Sequence, residues 1–437
     1  MKKKITPERL LLISFAVAIL IGSILLSLPA ASRGERLSYI DALFTSTSAV
    51  CVTGLIVKDT GKDFTLFGQM VILALLQLGG LGLMTFSSII FLFMGRGVSI
   101  LSRSALQQSF TPTGLGNFSL FLKNILLYTF SVEALGAVLL YPRFSTRFPA
   151  AYSLFASVFH SISAFCNAGF SIFSDSLMAW REDVWVNAVI LTLIVVGGVG
   201  FFVFWDLKEK FLRKREHLSL HTKMVLASSA FLILWGTVLL FAIEFNRAFS
   251  GFSLKGKILA SLFQAITPRT AGFNTVDIAS LSLPSLLLLI WLMFIGASPG
   301  STGGGVKTTT GFLGFLAMRK ILTKKDQVQV FGRGIKEEAI ERALVLMVFF
   351  ISFHFFSTFL LSLTENFSFL QLAFEEMSAM GTVGLSTGIT PKLSPLGKII
   401  IIVSMYVGRV GPLTILSSLV RRSRGRFTLP YENVMIG

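Results

Sequence analysis

Ser48-Ala49-Val50-Cys51-Val52-Thr53-Gly54-Leu55 carries a short apolar stretch into a glycine followed by a bulky apolar residue. The same ending returns as Asn167-Ala168-Gly169-Phe170, Thr270-Ala271-Gly272-Phe273 and Thr382-Val383-Gly384-Leu385, at intervals of 115, 103 and 112 residues. In a chain solvated by lipid, four such endings read as four quarters of one pore.

Lipid as the solvent is implied by composition. Of 437 residues 53% are hydrophobic and 14% charged, and the mean hydropathy is +0.76, outside the range of water-soluble domains. A bilayer core takes roughly 20 apolar residues per helix. Eight stretches qualify, about 10–28, 66–94, 121–141, 184–206, 223–245, 283–318, 340–363 and 396–420. Four shorter runs, near 40–51, 152–166, 257–268 and 368–380, precede the four glycines. They are too short to span. Non-helical backbone at membrane depth must be buried in protein or line a cavity, so each run is expected to enter as a half-length helix, turn at its glycine and leave.

Lys and Arg accumulate in short cytoplasmic loops. Lys208, Lys210, Arg213, Lys214, Arg215 and Lys223 lie two spans from Arg319, Lys320, Lys324, Lys325, Arg333, Lys336 and Arg342, hence on the same side. A count of eight spans adds both termini to that face, with Lys2, Lys3, Lys4 and Arg9 at one and Arg421, Arg422, Arg424 and Arg426 at the other. This predicts a multi-pass protein of the cell (plasma) membrane with both ends in the cytoplasm. The net charge of +17 lies along the membrane's inner edge without interleaved base-stacking aromatics, which fits lipid headgroups and an acidic partner and not nucleic acid.

Each quarter reads as outer helix, short pore helix, glycine loop and inner helix. The predicted fold is an all-α polytopic membrane protein with eight transmembrane helices and four re-entrant pore helices around a central pore, divided as 1–95, 96–210, 211–325 and 326–437. Ser48-Ala49, Ser163-Ala164 and Ser378-Ala379 begin six residues before the glycine, and Phe44, Phe159 and Phe374 stand ten before it. The third quarter departs, with Ile266-Thr267 in place of Ser-Ala. Glycine suits a loop that points carbonyls at an ion, because that backbone excludes side chains. Four sets of carbonyls can replace the hydration shell of a monovalent cation, and pore helices aimed carboxyl-end inward add their dipoles. Close helix packing is the alternative reading of the glycines.

Gly296-Ala297-Ser298-Pro299-Gly300-Ser301-Thr302-Gly303-Gly304-Gly305-Val306-Lys307 interrupts the inner stretch of the third quarter. Such a composition does not hold a regular helix cheaply, and a loop beneath the four glycines is expected at 296–307. It is not a phosphate-binding P-loop, since Val306 separates Gly305 from Lys307 and no strand precedes it. Arg409 stands inside the run Ile399 to Val420, where an arginine faces a cavity or partner or snorkels. Met1 to Ser32 imitates a secretory signal, but its apolar run exceeds the roughly 7–15 residues of one. Cys51 and Cys166 read as buried reduced thiols, His160 and His354 as packing residues, and Glu133, Asp206, Glu244, Glu365, Glu375 and Glu376 as cation attractors at the mouths or as helix caps and partners of loop lysines.

Together the four loops, the short amino-terminal lead-in and the segment 296–307 resemble the Trk/Ktr/HKT superfamily of potassium transporters over nearly the whole chain. With no helices ahead of the first span, the chain is most similar to the membrane subunit of bacterial Ktr systems. The resemblance implies a potassium selectivity filter at Val52, Thr53 and Gly54, Asn167, Ala168 and Gly169, Thr270, Ala271 and Gly272, and Thr382, Val383 and Gly384, with potassium there as the only metal. A serine in the first loop accompanies sodium transport in plant members, so Gly54 implies potassium. The resemblance further implies a gate at Gly300, Ser301, Thr302, Gly303, Gly304, Gly305 and Lys307, which obstructs the pore and moves on activation, with Arg409 as a positive barrier below the filter.

The expected function is potassium uptake, with no catalytic residues and no cofactor on the chain. The resemblance implies a homodimer on a cytosolic ring of RCK-type regulatory subunits that hold ATP/ADP or NAD(H), with sodium as a candidate activator. Two alternatives remain. A sodium- or proton-coupled symporter would call for paired carboxylates on adjacent spans, and no convincing pair is present. A polytopic lipid enzyme would usually carry clustered acids or histidines, yet there is no Asp-Asp pair and only four histidines, spread from His160 to His354.

Overall fold

A computed structural model describes residues 7–82, 118–212, 216–323 and 327–411, together with Thr414. Within them the chain runs through four sets of helices. The first holds α1 (Pro7–Leu26), α2 (Tyr39–Val50) and α3 (Leu66–Leu81); the second holds α4 (Phe118–Phe144), α5 (Ala150–Phe165), α6 (Val184–Val199) and α7 (Phe201–Phe211). The third holds α8 (Leu220–Glu244), α9 (Leu254–Ile266), α10 (Leu283–Phe294) and α11 (Thr308–Thr323). A two-stranded antiparallel hairpin, β1 (Gln329–Val330) and β2 (Arg333–Gly334), leads to the fourth, α12 (Glu337–Thr364), α13 (Phe369–Met380) and α14 (Pro395–Val410). Both basic termini (Lys2, Lys3, Lys4; Arg421, Arg422, Arg424, Arg426) and Arg213, Lys214, Arg215, Lys324 and Lys325 lie outside the described residues.

The first helix of every set is long and apolar enough to cross a membrane: Arg9–Leu26, Leu122–Phe144, Leu220–Glu244 and Glu337–Thr364. Their outer faces expose Ile13, Val17 and Ile24 on α1, Leu127 and Val138 on α4, Phe231 and Leu234 on α8, and Val348 and Phe355 on α12. Apolar surface of that extent is stable against lipid and not against water. Each second helix (α2, α5, α9 and α13) has only 12 to 16 residues, too few to cross, and is packed against the long helix before it.

Hydroxyl caps fix where the shorter helices begin. Ser38 accepts from the Asp41 N–H, Ser253 from Gly256 and Ser368 from Gln371, the last in a reciprocal capping box. Thr65 and Ser394 do the same for α3 and α14, and Asp183 for α6. Each such cap is worth about 1 kcal/mol.

One expectation needs correction. The stretch 184–206 is not a single helical span, since α6 and α7 meet at a 92° bend; in 283–318 the chain leaves α10 at Phe294 and resumes as α11 at Thr308, with the interruption at the glycine-rich segment, as its composition predicts. The bend lies at Gly200 (φ 101°, ψ 141°), while α3 ends at Gly82 (φ 80°, ψ 126°) and α14 at Gly411 (φ 88°, ψ 138°). Three inner helices thus stop on the same backbone conformation, one open only to glycine. The remainders of the stretches 66–94 and 396–420, beyond Gly82 and Gly411, lie outside the described residues, Thr414 excepted.

The last set closes onto the first. Lys398 Nζ donates to Asp41 Oδ1 at 2.6 Å, and the Tyr406 hydroxyl donates to the Leu12 carbonyl at 2.7 Å.

Candidate functional site

After each short helix the chain reverses through a loop of common design. The residue two before the glycine has a positive φ: Val52 (55°), Asn167 (57°), Thr270 (72°) and Thr382 (51°). Three of these are β-branched, for which this region is strained. The glycines themselves have φ of 93°, 69°, 76° and 94°. Ser48 and Ser378 accept from the N–H of Gly54 and Gly384, each at 3.0 Å, and the Ser163 hydroxyl donates to the Phe170 carbonyl at 2.7 Å.

In the third loop the Thr267 hydroxyl makes the corresponding bond, to the Phe273 carbonyl at 2.6 Å. Thr267 stands five residues before its glycine where the serines stand six. The third quarter therefore lacks one residue between helix and loop, and Phe263 takes the place of Phe44, Phe159 and Phe374. Packing agrees with this register: a methyl at Gly22 or Gly136 would strike the hydroxyl of Ser46 or Ser161, whereas Gly236 faces Ala265.

The four loops meet in a closed ring. A methyl placed on Gly54 would collide with the Ala168 carbonyl oxygen; one on Gly169 would lie 2.8 Å from that of Ala271, one on Gly272 2.5 Å from that of Val383, and one on Gly384 would collide with that of Thr53. The sequence of contacts is first to second to third to fourth to first. Each junction sets a carbonyl oxygen against a neighbour's glycine, and only hydrogen at Cα permits the approach. Val52, Thr53, Asn167, Ala168, Thr270, Ala271, Thr382 and Val383 are all fully buried.

Against this ring lies the segment that separates α10 from α11. A methyl on Gly304 would strike the Thr382 side chain and one on Gly303 that of Thr270, and the Gly304 N–H donates to Thr382 Oγ1 at 3.0 Å. Thr302 Oγ1 lies 3.1 Å from the Phe165 carbonyl and 3.2 Å from that of Gly197. The Ser298 N–H donates to the Gly198 carbonyl and the Phe201 N–H, freed by the bend at Gly200, to that of Gly300. Ser301 Oγ donates to the Ser298 carbonyl at 2.6 Å, and Lys307 Nζ folds back onto the carbonyls of Gly303 (2.7 Å) and Gly304 (3.4 Å). Arg409 joins three quarters: on α14 of the fourth, it donates to the Thr302 carbonyl in the third and to the Gly79 carbonyl at the end of α3 in the first.

The charged residues named from sequence have local partners. Glu244 accepts from Ser282 and Ala248, Glu365 from Ser394, and Asp206 from the Ser219 N–H. Glu133 accepts from Gln77, Glu375 from Ser386, Thr387 and Thr390, and Glu376 pairs with His354. Those contacts are with hydroxyls, amides and one imidazole. Cys51 and Cys166 are buried free thiols at the ends of α2 and α5.

Residues 12–425, which contain the ring, the segment beside it and Arg409, match the model of the family TrkH, described as "Cation transport protein". The chain belongs to the TrkH family. It is 40% identical to "Ktr system potassium uptake protein B" of Bacillus subtilis (strain 168), across 99% of this chain and 97% of the relative. Identity to "Potassium/sodium uptake protein NtpJ" of Enterococcus hirae is 36%, across 100% of this chain and 98% of that one. The crystal structure of the potassium transporter TrkH from Vibrio parahaemolyticus superposes with a TM-score of 0.75 at 20% identity, covering 96% of this chain and 86% of that chain, so the fold is shared. TrkH membership makes this a membrane transport protein, in keeping with its long apolar helices.

Proposed function

We propose that the chain is the ion-conducting subunit of a potassium uptake system. Its four quarters, 1–95, 96–210, 211–325 and 326–437, each give an outer helix, a re-entrant pore helix and an inner helix, eight crossings in all. The observation that carries the reading is the closed ring in which the carbonyl oxygens of Thr53, Ala168, Ala271 and Val383 alternate with four glycines. Backbone oxygens in that arrangement substitute for the water shell of a weakly hydrated monovalent cation, and two relatives carry potassium uptake in their names.

In this reading the twelve ring residues are the selectivity filter. Gly300 to Gly305, Lys307 and Arg409 are the gate. The gate is held by bonds to backbone carbonyls, and Arg409 adds a positive charge on the conduction route. A cytosolic nucleotide-binding ring moves the gate, the chain acts as a homodimer, and the basic connections face that ring from the cytoplasmic side. Sodium is read as an activator, while the name of the Enterococcus relative couples sodium with potassium in uptake.

The test is rubidium and sodium uptake into liposomes holding only this chain, with an imposed potential and no proton or sodium gradient. Rubidium uptake well above sodium supports a passive potassium route. No uptake, even after shortening 300–305, would mean obligate coupling to a second ion.

A further inference from the structure

The ring is fourfold in its backbone but not in what stands behind it. Nine residues before each glycine, or eight in the shifted register of the third quarter, the short helix carries a residue that pairs by position with the one two beyond the glycine. The four pairs are Thr45 with Ile56, His160 with Ser171, Gln264 with Asn274 and Glu375 with Ser386. Two of them are bonded. His160 Nδ1 lies 2.7 Å from the Ala156 carbonyl, an acceptor, so that nitrogen carries the proton and Nε2 accepts from Ser171 Oγ at 2.9 Å. Ser171 in turn accepts from the Phe173 N–H at 2.9 Å.

The fourth quarter repeats this relay with a carboxylate. Ser386 Oγ donates to Glu375 Oε1 at 2.6 Å and accepts from the Gly388 N–H at 2.9 Å. Thr387 and Thr390 donate to the same carboxylate, Thr390 at 2.7 Å. His160 and Glu375 are both buried.

No such clamp exists in the other two quarters. Thr45 Oγ1 donates within its own helix to the Asp41 carbonyl, and Ile56 offers no polar atom. Buried Gln264 has no hydrogen-bond partner for either amide atom, while the Asn274 amide turns to the Val276 carbonyl and its backbone bonds outward to Ser176 and Leu177 of the second quarter, not back to its own short helix. Contacts run round the ring in chain order, so the clamped second and fourth loops stand opposite each other and the unclamped first and third fill the other diagonal.

We propose that His160 with Ser171 and Glu375 with Ser386 are positioning residues that set ion preference by stiffening one diagonal of the ring. The inference rests on the ring being the selectivity filter. Discrimination between cations that differ by a few tenths of an ångström in radius requires oxygens held to less than that difference. A loop tied two residues beyond its glycine to a buried helix resists closing around the smaller ion. Loops not tied to their own short helix lack that support, so they contribute less to discrimination than the clamped pair.

The experiment measures potassium-to-sodium permeability ratio and total potassium flux in liposomes of the full chain. Variants are Ser171→Ala, Ser386→Ala and His160→Phe, with Glu375→Gln and Ser171→Thr as rescues that keep the bond. Thr45→Val and Ile56→Ala probe the unclamped diagonal, and Gly54→Ser probes the ring itself. The clamp variants are expected to lower the ratio about tenfold, a shift of one hydrogen bond's worth of positioning, the rescues to restore most of it, and the first-loop variants to change it less than about twofold. A loss of flux at constant ratio in the clamp variants would assign them a packing role and overturn the proposal. If Gly54→Ser moves the ratio and the clamps do not, the proposal falls and the filter reading stands; if neither moves it, both fall.

Discussion

The ring and the segment beside it touch each other, yet they are held differently. Every ring glycine is in steric contact with a neighbouring quarter, and the residues two before them adopt strained backbone. The segment 295–307 also packs closely, Gly303 and Gly304 against Thr270 and Thr382 and Pro299 against Gly200, but much of what ties it to the other quarters is a set of hydrogen bonds to carbonyl oxygens involving Arg409, Thr302 and Phe201. Close packing has no halfway state, since a shift of an ångström forfeits much of the contact energy. Hydrogen bonds to carbonyls have alternative partners in water at little net cost. In the proposed reading the ring keeps its shape and the segment, as the gate, leaves its place.

The strongest challenge to that contrast is Gly384→Ala. A methyl there meets the Thr53 carbonyl and imposes an unfavourable φ, so a cost of ~3 kcal/mol or more is expected, read as loss of selective rubidium uptake. Survival of normal uptake would show the ring to be loose.

Next comes Arg409→Gln. It removes one charge-assisted bond to the segment, at the Thr302 carbonyl, worth ~1.5–3 kcal/mol, and flux without any partner protein should rise about tenfold or more. An unchanged or lower flux would contradict the releasable reading. Thr302→Val removes the contacts to Phe165 and Gly197 and should raise flux a few-fold, corresponding to ~1 kcal/mol.

The smallest effect on transport belongs to the seam. Lys398 and Asp41 are mostly buried and join the first and last quarters, so Asp41→Asn should cost ~3–5 kcal/mol of stability and lower the melting temperature without altering ion preference. A changed preference would mean that the ring's shape depends on its periphery.

Much of this was legible in sequence. Gly54, Gly169, Gly272 and Gly384 announce themselves because each occupies a backbone region that other residues avoid, in an otherwise apolar setting. The glycine-rich segment is visible for the same reason, since no apolar helix tolerates Gly303-Gly304-Gly305. Breaks at Gly82, Gly200 and Gly411 carry a signal too, the spacing Gly79 to Gly82, Gly197 to Gly200 and Gly408 to Gly411, but apolar continuity hides it, and a count of hydropathy alone makes one span of each stretch. The missing residue of the third quarter stays hidden because Ile266-Thr267 looks like a substitution until the Thr267 hydroxyl is seen on the Phe273 carbonyl. The ties of Arg409 and the two clamps join residues distant in sequence or matched only through the repeat, and no local pattern encodes them.

The central claim is that ions pass through the ring of four loops. Its most direct test is anomalous scattering from crystals of the protein grown in thallium or rubidium salts. Conduction through the ring predicts density on the ring axis, surrounded by the carbonyl oxygens of Thr53, Ala168, Ala271 and Val383 and weakened by competing potassium. Ions bound elsewhere between the helices, with none inside the ring, would contradict it.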